Sequence, residues 1–91
     1  MEESLEYQIK IKSGAKKDLK KIKGSRFEKS FLEIIETLRN NPFEISQSFE
    51  KLIPPINRFY SRRINFQRRV VYKVDKKLRI VTIYSAYSHY E

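Results

Sequence analysis

Apolar and polar residues alternate strictly from Tyr7 to Lys12, with Tyr7, Ile9 and Ile11 on one side and Gln8, Lys10 and Lys12 on the other. A period of two is that of a half-buried strand. Ser13 and Gly14 break the alternation, and from Ala15 the period lengthens. Ala15, Leu19 and Ile22 make a helical stripe, with Lys16, Lys17, Lys20, Lys21 and Lys23 on the other faces. Gly24 is placed to end this helix, because glycine enters the left-handed region at no steric cost. Ser25-Arg26-Phe27-Glu28 has the spacing of a capping box, in which serine and glutamate satisfy each other's free amides. A second helix follows, with Phe27, Phe31, Ile34, Ile35 and Leu38 on one face. Asn40-Asn41-Pro42 stops it, since proline disfavours helix in the residue before it. The two helices, joined by a short turn, are expected to run antiparallel.

Residues 43–57 keep neither period and contain Pro54-Pro55. They read as a surface loop whose length marks it as a functional segment. Three strands then follow closely. Residues 58–66 and 68–74 are separated by a tight turn near Gln67, and Asp75-Lys76-Lys77 turns the chain into residues 78–85. In the middle strand Val70, Tyr72 and Val74 share one face, and Arg69, Val71 and Lys73 the other. One face should bury against the helices and the other carry arginine to solvent. The order β-α-α-β-β-β predicts an α+β fold, a small antiparallel sheet with two helices packed on one face. No repeat or low-complexity segment interrupts residues 1–91, which read as a single domain.

Charge changes the picture more than composition does. Twenty Lys and Arg against eleven Asp and Glu give a formal net charge of +9. Such a surface attracts polyanions, and nucleic acid is the leading expected partner, bound more weakly as salt rises. A chain this short buries one modest core, so a partner is expected to complete any active site. The absence of cysteine excludes disulfides, thiolate metal sites and cysteine nucleophiles. No apolar run reaches the roughly 18 residues of a membrane span. The start Met1-Glu2-Glu3-Ser4 lacks the cationic and apolar stretches of a signal peptide, so a cytoplasmic location is expected.

The arginines are unevenly placed. Arg58, Arg62, Arg63, Arg68 and Arg69 are interleaved with Phe59, Tyr60, Phe66 and Tyr72. Guanidinium forks grip phosphates and aromatic rings stack on unpaired bases, which points to an RNA-binding sheet face. The competing reading is a row of solvated charges guarding a sheet edge. His89 is the sole histidine; it is either an incidental surface residue or a proton donor. One imidazole cannot serve as both acid and base, so a carboxylate would have to take the second role. Glu50, just ahead of the cationic strands, is the candidate, although a carboxylate there can also be a plain surface charge. No glycine-rich phosphate loop, nucleophile elbow or metal-ligand spacing occurs.

Five segments, Asn41-Pro42-Phe43-Glu44, Phe49-Glu50-Lys51-Leu52, Phe59-Tyr60-Ser61-Arg62-Arg63-Ile64, Arg68-Arg69-Val70-Val71-Tyr72-Lys73-Val74 and His89-Tyr90, together resemble the YoeB (Txe) branch of the RelE-type toxins. The likeness covers roughly the last fifty residues closely and the earlier ones through element order. It implies a metal-independent, cofactor-free endoribonuclease that cleaves mRNA on the ribosome and inhibits translation. By the same resemblance Glu50 is the general base, Arg69 steadies the charged phosphate, His89 is the general acid and Tyr90 places the substrate. Arg62, Arg63, Arg68 and Lys51 are the implied RNA-binding residues. The implied partners are a cognate antitoxin, mRNA with the ribosome, operator DNA through the antitoxin complex, and a second copy of the chain, with no membrane. The alternative is a non-catalytic member of the fold acting through antitoxin and operator DNA. The sequence departs from the branch at Arg68, where histidine is common, in the missing proline after Glu50, in a slightly longer stretch between Tyr72 and His89, and in the added Glu91.

Overall fold

The computed structural model describes residues 6–52, 59–65 and 68–86. In chain order the elements are β1 (Gln8–Ile11), α1 (Ser13–Ile22), α2 (Glu28–Asn40), β2 (Glu50–Lys51), β3 (Tyr60–Arg63), β4 (Arg69–Asp75) and β5 (Ile80–Ser85). The predicted elements all form. The strand predicted over 58–66 is shorter, and the turn predicted near Gln67 and residue Arg58 lie outside the described residues.

The strands form one five-stranded sheet in the order β1-β5-β4-β3-β2. The β2–β3, β3–β4 and β4–β5 pairs are antiparallel, as expected, but β1 pairs with β5 in parallel, which makes the sheet mixed. A period of two says which residues face the core and nothing about the direction of the neighbour. The sense of that pairing is set by how β5 arrives beside β1 from far along the chain. The short β2 is a second addition, formed inside the predicted loop where Glu50 stands opposite Ser61 and Lys51 opposite Tyr60.

The core lies between the helices and one sheet face. Ala15, Ile22, Phe31, Ile34 and Leu38 meet Ile64, Val70, Tyr72, Val81, Ile83 and Ala86. The helical stripe and the Val70/Tyr72 parity read from sequence are the ones buried. Each fully buried aliphatic of this set contributes roughly 1.5–3 kcal/mol. Gly24 ends α1 with φ +79°, as its position predicted. The box at Ser25 is rearranged. The Ser25 amide already donates to the Ile22 carbonyl at 2.9 Å, so the Glu28 carboxylate takes the Gly24 amide instead at 3.1 Å. Ser25 Oγ accepts from the Phe27 amide rather than from Glu28. A register slip between Tyr72↔Ile83 and Val71↔Ser85 bulges the end of β5, re-aiming the chain where its C-terminal segment begins. Among the described residues no helix is long and apolar enough to cross a membrane.

Candidate active site on the open sheet face

Strand parity builds the site. With Val70 and Tyr72 committed to the core, the pairing register sends Arg69, Val71 and Lys73 of β4 to the face away from the helices, together with Ser61 and Arg63 of β3. Glu50 joins them by pairing with Ser61. The result is a row, Glu50, Ser61, Val71, Ser85, that crosses four strands.

Arg69 leans across this row. Its Nη1 donates to Ser61 Oγ at 2.9 Å, and its Nη2 lies 3.5 Å from Glu50 Oε1. The Arg69 side chain is 18% exposed and that of Glu50 58%. The guanidinium is therefore sunk into the sheet, one nitrogen held by the buried Ser61, and the carboxylate stands at its solvent side. So open an ion pair is worth about 0–1 kcal/mol, because water screens it. An incoming phosphate can take over the guanidinium at little cost and leave the carboxylate free to accept a proton.

Of the other expected residues, Arg63 is exposed on the same face opposite Arg69, and its amide donates to the Gln47 carbonyl at 2.8 Å. Lys51 is exposed on the edge strand β2. Arg68 lies half-buried with its guanidinium 5.4 Å from the Phe27 ring centre. His89 and Tyr90 lie outside the described residues. The chain that leads to them is tied down at its start, where the Ala86 amide donates to Asp18 Oδ2 of α1 at 3.1 Å.

Arg62 does not belong with the surface arginines. It is 0% exposed and faces the helices, beside Tyr60 and opposite Val70. Its Nε donates to the Tyr72 hydroxyl at 3.1 Å, Nη1 to the Ser46 carbonyl at 2.9 Å and Gln47 Oε1 at 3.3 Å, and Nη2 to the carbonyls of Pro42 and Glu44, both at 2.9 Å. The Phe49 ring covers it at 4.7 Å. With every donor used it has none to offer a phosphate. Neighbouring arginines in a strand must face opposite ways, and the side that Ile64 and Tyr60 mark as apolar belongs to Arg62. The same parity would have found Ser61, the hydroxyl that holds Arg69 and the site residue that sequence reasoning passed over.

A shallow cleft of about 650 Å³ opens further along β4, lined in part by Lys51, Lys73, Lys76, Phe43 and Tyr84. Lys73 Nζ stands 4.8 Å from the Phe59 ring centre and 5.6 Å from that of Tyr84. Cations beside aromatic faces are what a single-stranded polynucleotide needs, phosphate and base each finding a partner.

Known proteins agree on the architecture. The family model described as ParE toxin of type II toxin-antitoxin system, parDE, matches residues 9–89. The fold resembles the YoeB dimer from Staphylococcus aureus at 30% identity and TM-score 0.79, covering 93% of this chain and 99% of that one. It resembles the YoeB-YefM complex from the same organism at 31% identity and TM-score 0.75, covering 92% and 98%. The archaeal RelE-RelB complex from Pyrococcus horikoshii OT3 shares the fold at 24% identity and TM-score 0.74, covering 91% and 94%. No curated protein matches in sequence.

Proposed function

Because this chain belongs to the ParE toxin family of type II toxin-antitoxin systems, and is of YoeB/RelE type in structure, we propose that it is a ribosome-dependent, metal-independent endoribonuclease that cleaves mRNA and so inhibits translation. The observation that carries this reading is the Glu50–Arg69–Ser61 cluster on the open, cationic sheet face.

The chemistry follows from that cluster. A ribose 2′-hydroxyl attacks the adjacent phosphorus and gives its proton to Glu50. Arg69 neutralises the charge that builds on the non-bridging oxygens. The 5′-oxygen leaves and takes a proton from His89, so the upstream fragment ends in a 2′,3′-cyclic phosphate. Tyr90 places the substrate, and Arg63 and Lys51 bind the flanking strand, whereas Arg68 is turned to Phe27 on the helical side of the sheet, away from Arg69. Arg62 has no place in that list. Support for His89 comes from reach. The row holding Glu50 ends at Ser85, and a span of four residues extends at most ~14 Å, about three strand spacings.

The partners in this reading are a cognate antitoxin, the ribosome with its mRNA, and operator DNA through the antitoxin complex, all in the cytoplasm. The solved S. aureus relatives are a dimer and a YoeB-YefM complex, which supports both a second copy and an antitoxin here. Leu32, 55% exposed beside Phe31 and Leu19, offers apolar surface for an antitoxin to cover.

Free expression of the toxin, with primer extension on a reporter mRNA, tests the reading. Breaks confined to translated codons, lost in Glu50→Gln, Arg69→Met and His89→Gln while antitoxin binding persists, are expected. A second reading, a non-catalytic member working through antitoxin and operator DNA, draws on the YoeB-YefM complex among the similar structures. Growth arrest and mRNA breaks both absent from the wild type would establish it.

A further inference from the structure

We propose that Arg62 is a positioning residue, whose buried guanidinium holds the 42–49 loop in the shape that delivers Glu50 to Arg69. This rests on the nuclease reading above.

The loop between α2 and β2 makes no extended pairing of its own. It advances by short local bonds, Glu44 to Asn41, Ser46 to Glu44 and Phe49 to Ser46, each from amide to carbonyl. Two successive non-glycine residues, Gln47 and Ser48, sit at φ 54°. Left-handed backbone costs roughly 1–2 kcal/mol per such residue, so a segment left to itself would not hold this shape. What holds it is the inward turn of the Pro42, Glu44 and Ser46 carbonyls and the Gln47 side chain onto one guanidinium. The acceptors are neutral oxygens, so the Arg62 charge is offset by carbonyl dipoles, the Tyr72 hydroxyl and the face of the Phe49 ring. That concentrates the loop's geometry on Arg62, because a buried cation exacts several kcal/mol unless all of them stay in place.

Glu50 follows directly. Phe49 stacks on Arg62 and on Tyr60, and the next residue is Glu50, paired to Ser61. Arg62 and Ser61 are chain neighbours on opposite sheet faces. Ser61 fixes Arg69 from the open side, and Arg62 fixes the strand that carries Glu50 from the buried side. The two reacting groups are thus referred to one peptide unit. A misplacement of about 1 Å between such groups costs roughly 100-fold in rate.

The test uses the full toxin with programmed ribosomes. Arg62→Lys keeps the charge and loses the fork. It is expected to lower kcat about 100-fold with KM changed less than about threefold. Amide exchange should quicken at Arg63 and Phe49, whose partners are loop carbonyls, and stay slow along the β4–β5 ladder. Should Arg62→Lys fail to fold, Gln47→Ala removes one acceptor and leaves Arg62 in place, and a several-fold loss of kcat with the same exchange pattern is expected. A folded Arg62→Lys, or Gln47→Ala in its stead, that cleaves at the wild-type rate overturns the proposal. So does a slow variant whose loop amides stay protected. A wild-type toxin that never cuts mRNA overturns the nuclease reading itself, and the two failures are told apart by the wild-type lane.

Discussion

Removing one oxygen from the core, in Tyr72→Phe, should weaken the protein more than any surface change of similar size. The Tyr72 hydroxyl donates to the Pro42 carbonyl at 2.7 Å and accepts from Arg62 Nε at 3.1 Å, and the residue is 0% exposed. Phenylalanine keeps the ring and its packing. It leaves the Arg62 Nε–H with no acceptor in a dry interior, while the Pro42 carbonyl keeps its bond from Nη2. An unmet buried donor costs about 1–3 kcal/mol, more when charged, so a loss of about 2–3 kcal/mol is expected at neutral pH. For a domain this small that lowers Tm by roughly 10–20 °C. The pH dependence gives a second, independent number. Burial pushes the Tyr72 phenol up to about 12, against the pull of Arg62. The unfolded chain therefore releases this proton first, near pH 10. The stability contributed by the neutral phenol is full below pH 10 and is lost between pH 10 and 12, amounting to about 3 kcal/mol. Phenylalanine has no such proton. The gap between wild type and Tyr72→Phe, measured by urea unfolding at a series of pH values, should be widest below pH 10 and narrow as the pH approaches 12. A gap under about 0.5 kcal/mol at pH 7, or one that stays constant to pH 12, would refute the reasoning.

Glu50→Gln should abolish mRNA cleavage yet change stability by less than about 1 kcal/mol in thermal unfolding, because its ion pair is open to water; a large loss of stability would recast Glu50 as structural. Ser48→Val should destabilise by about 1–3 kcal/mol, since a branched side chain resists the left-handed backbone at φ 54°, whereas Ser48→Gly should not; equal urea midpoints for the two would contradict this. Asp18→Ala should lose about 1 kcal/mol with its bond to the Ala86 amide and speed exchange there, and an unaltered Ala86 amide would count against that tether. Binding to single-stranded RNA should fall with a log–log salt slope of about −0.7 for each phosphate engaged, and Arg63→Ala should flatten the slope by roughly one such contact.

How much of this molecule could be read along the chain follows from which interactions are local. Strand and helix periods, the stop at Pro42 and the turn at Gly24 depend on neighbours within a few residues. Alternation in residues 69–74 therefore identified the two faces of β4, with Arg69 on the side away from the core, whereas Glu50 stood in a predicted loop and reaches that side only through the pairing of β2. The parallel partner of β1 and the two-residue strand β2 lay beyond it, because they are set by where distant segments arrive. Arg62 is the sharpest case. Composition grouped it with its charged neighbours as a surface residue, and its strand position says the opposite. Only the tertiary structure shows why the core tolerates it: four oxygens of a loop 15 to 20 residues upstream, and one from Tyr72, converge on the guanidinium. Periodicity within an element is legible in sequence because it repeats at fixed spacing. The meeting of a buried charge with its acceptors is not, because folding alone brings those residues together.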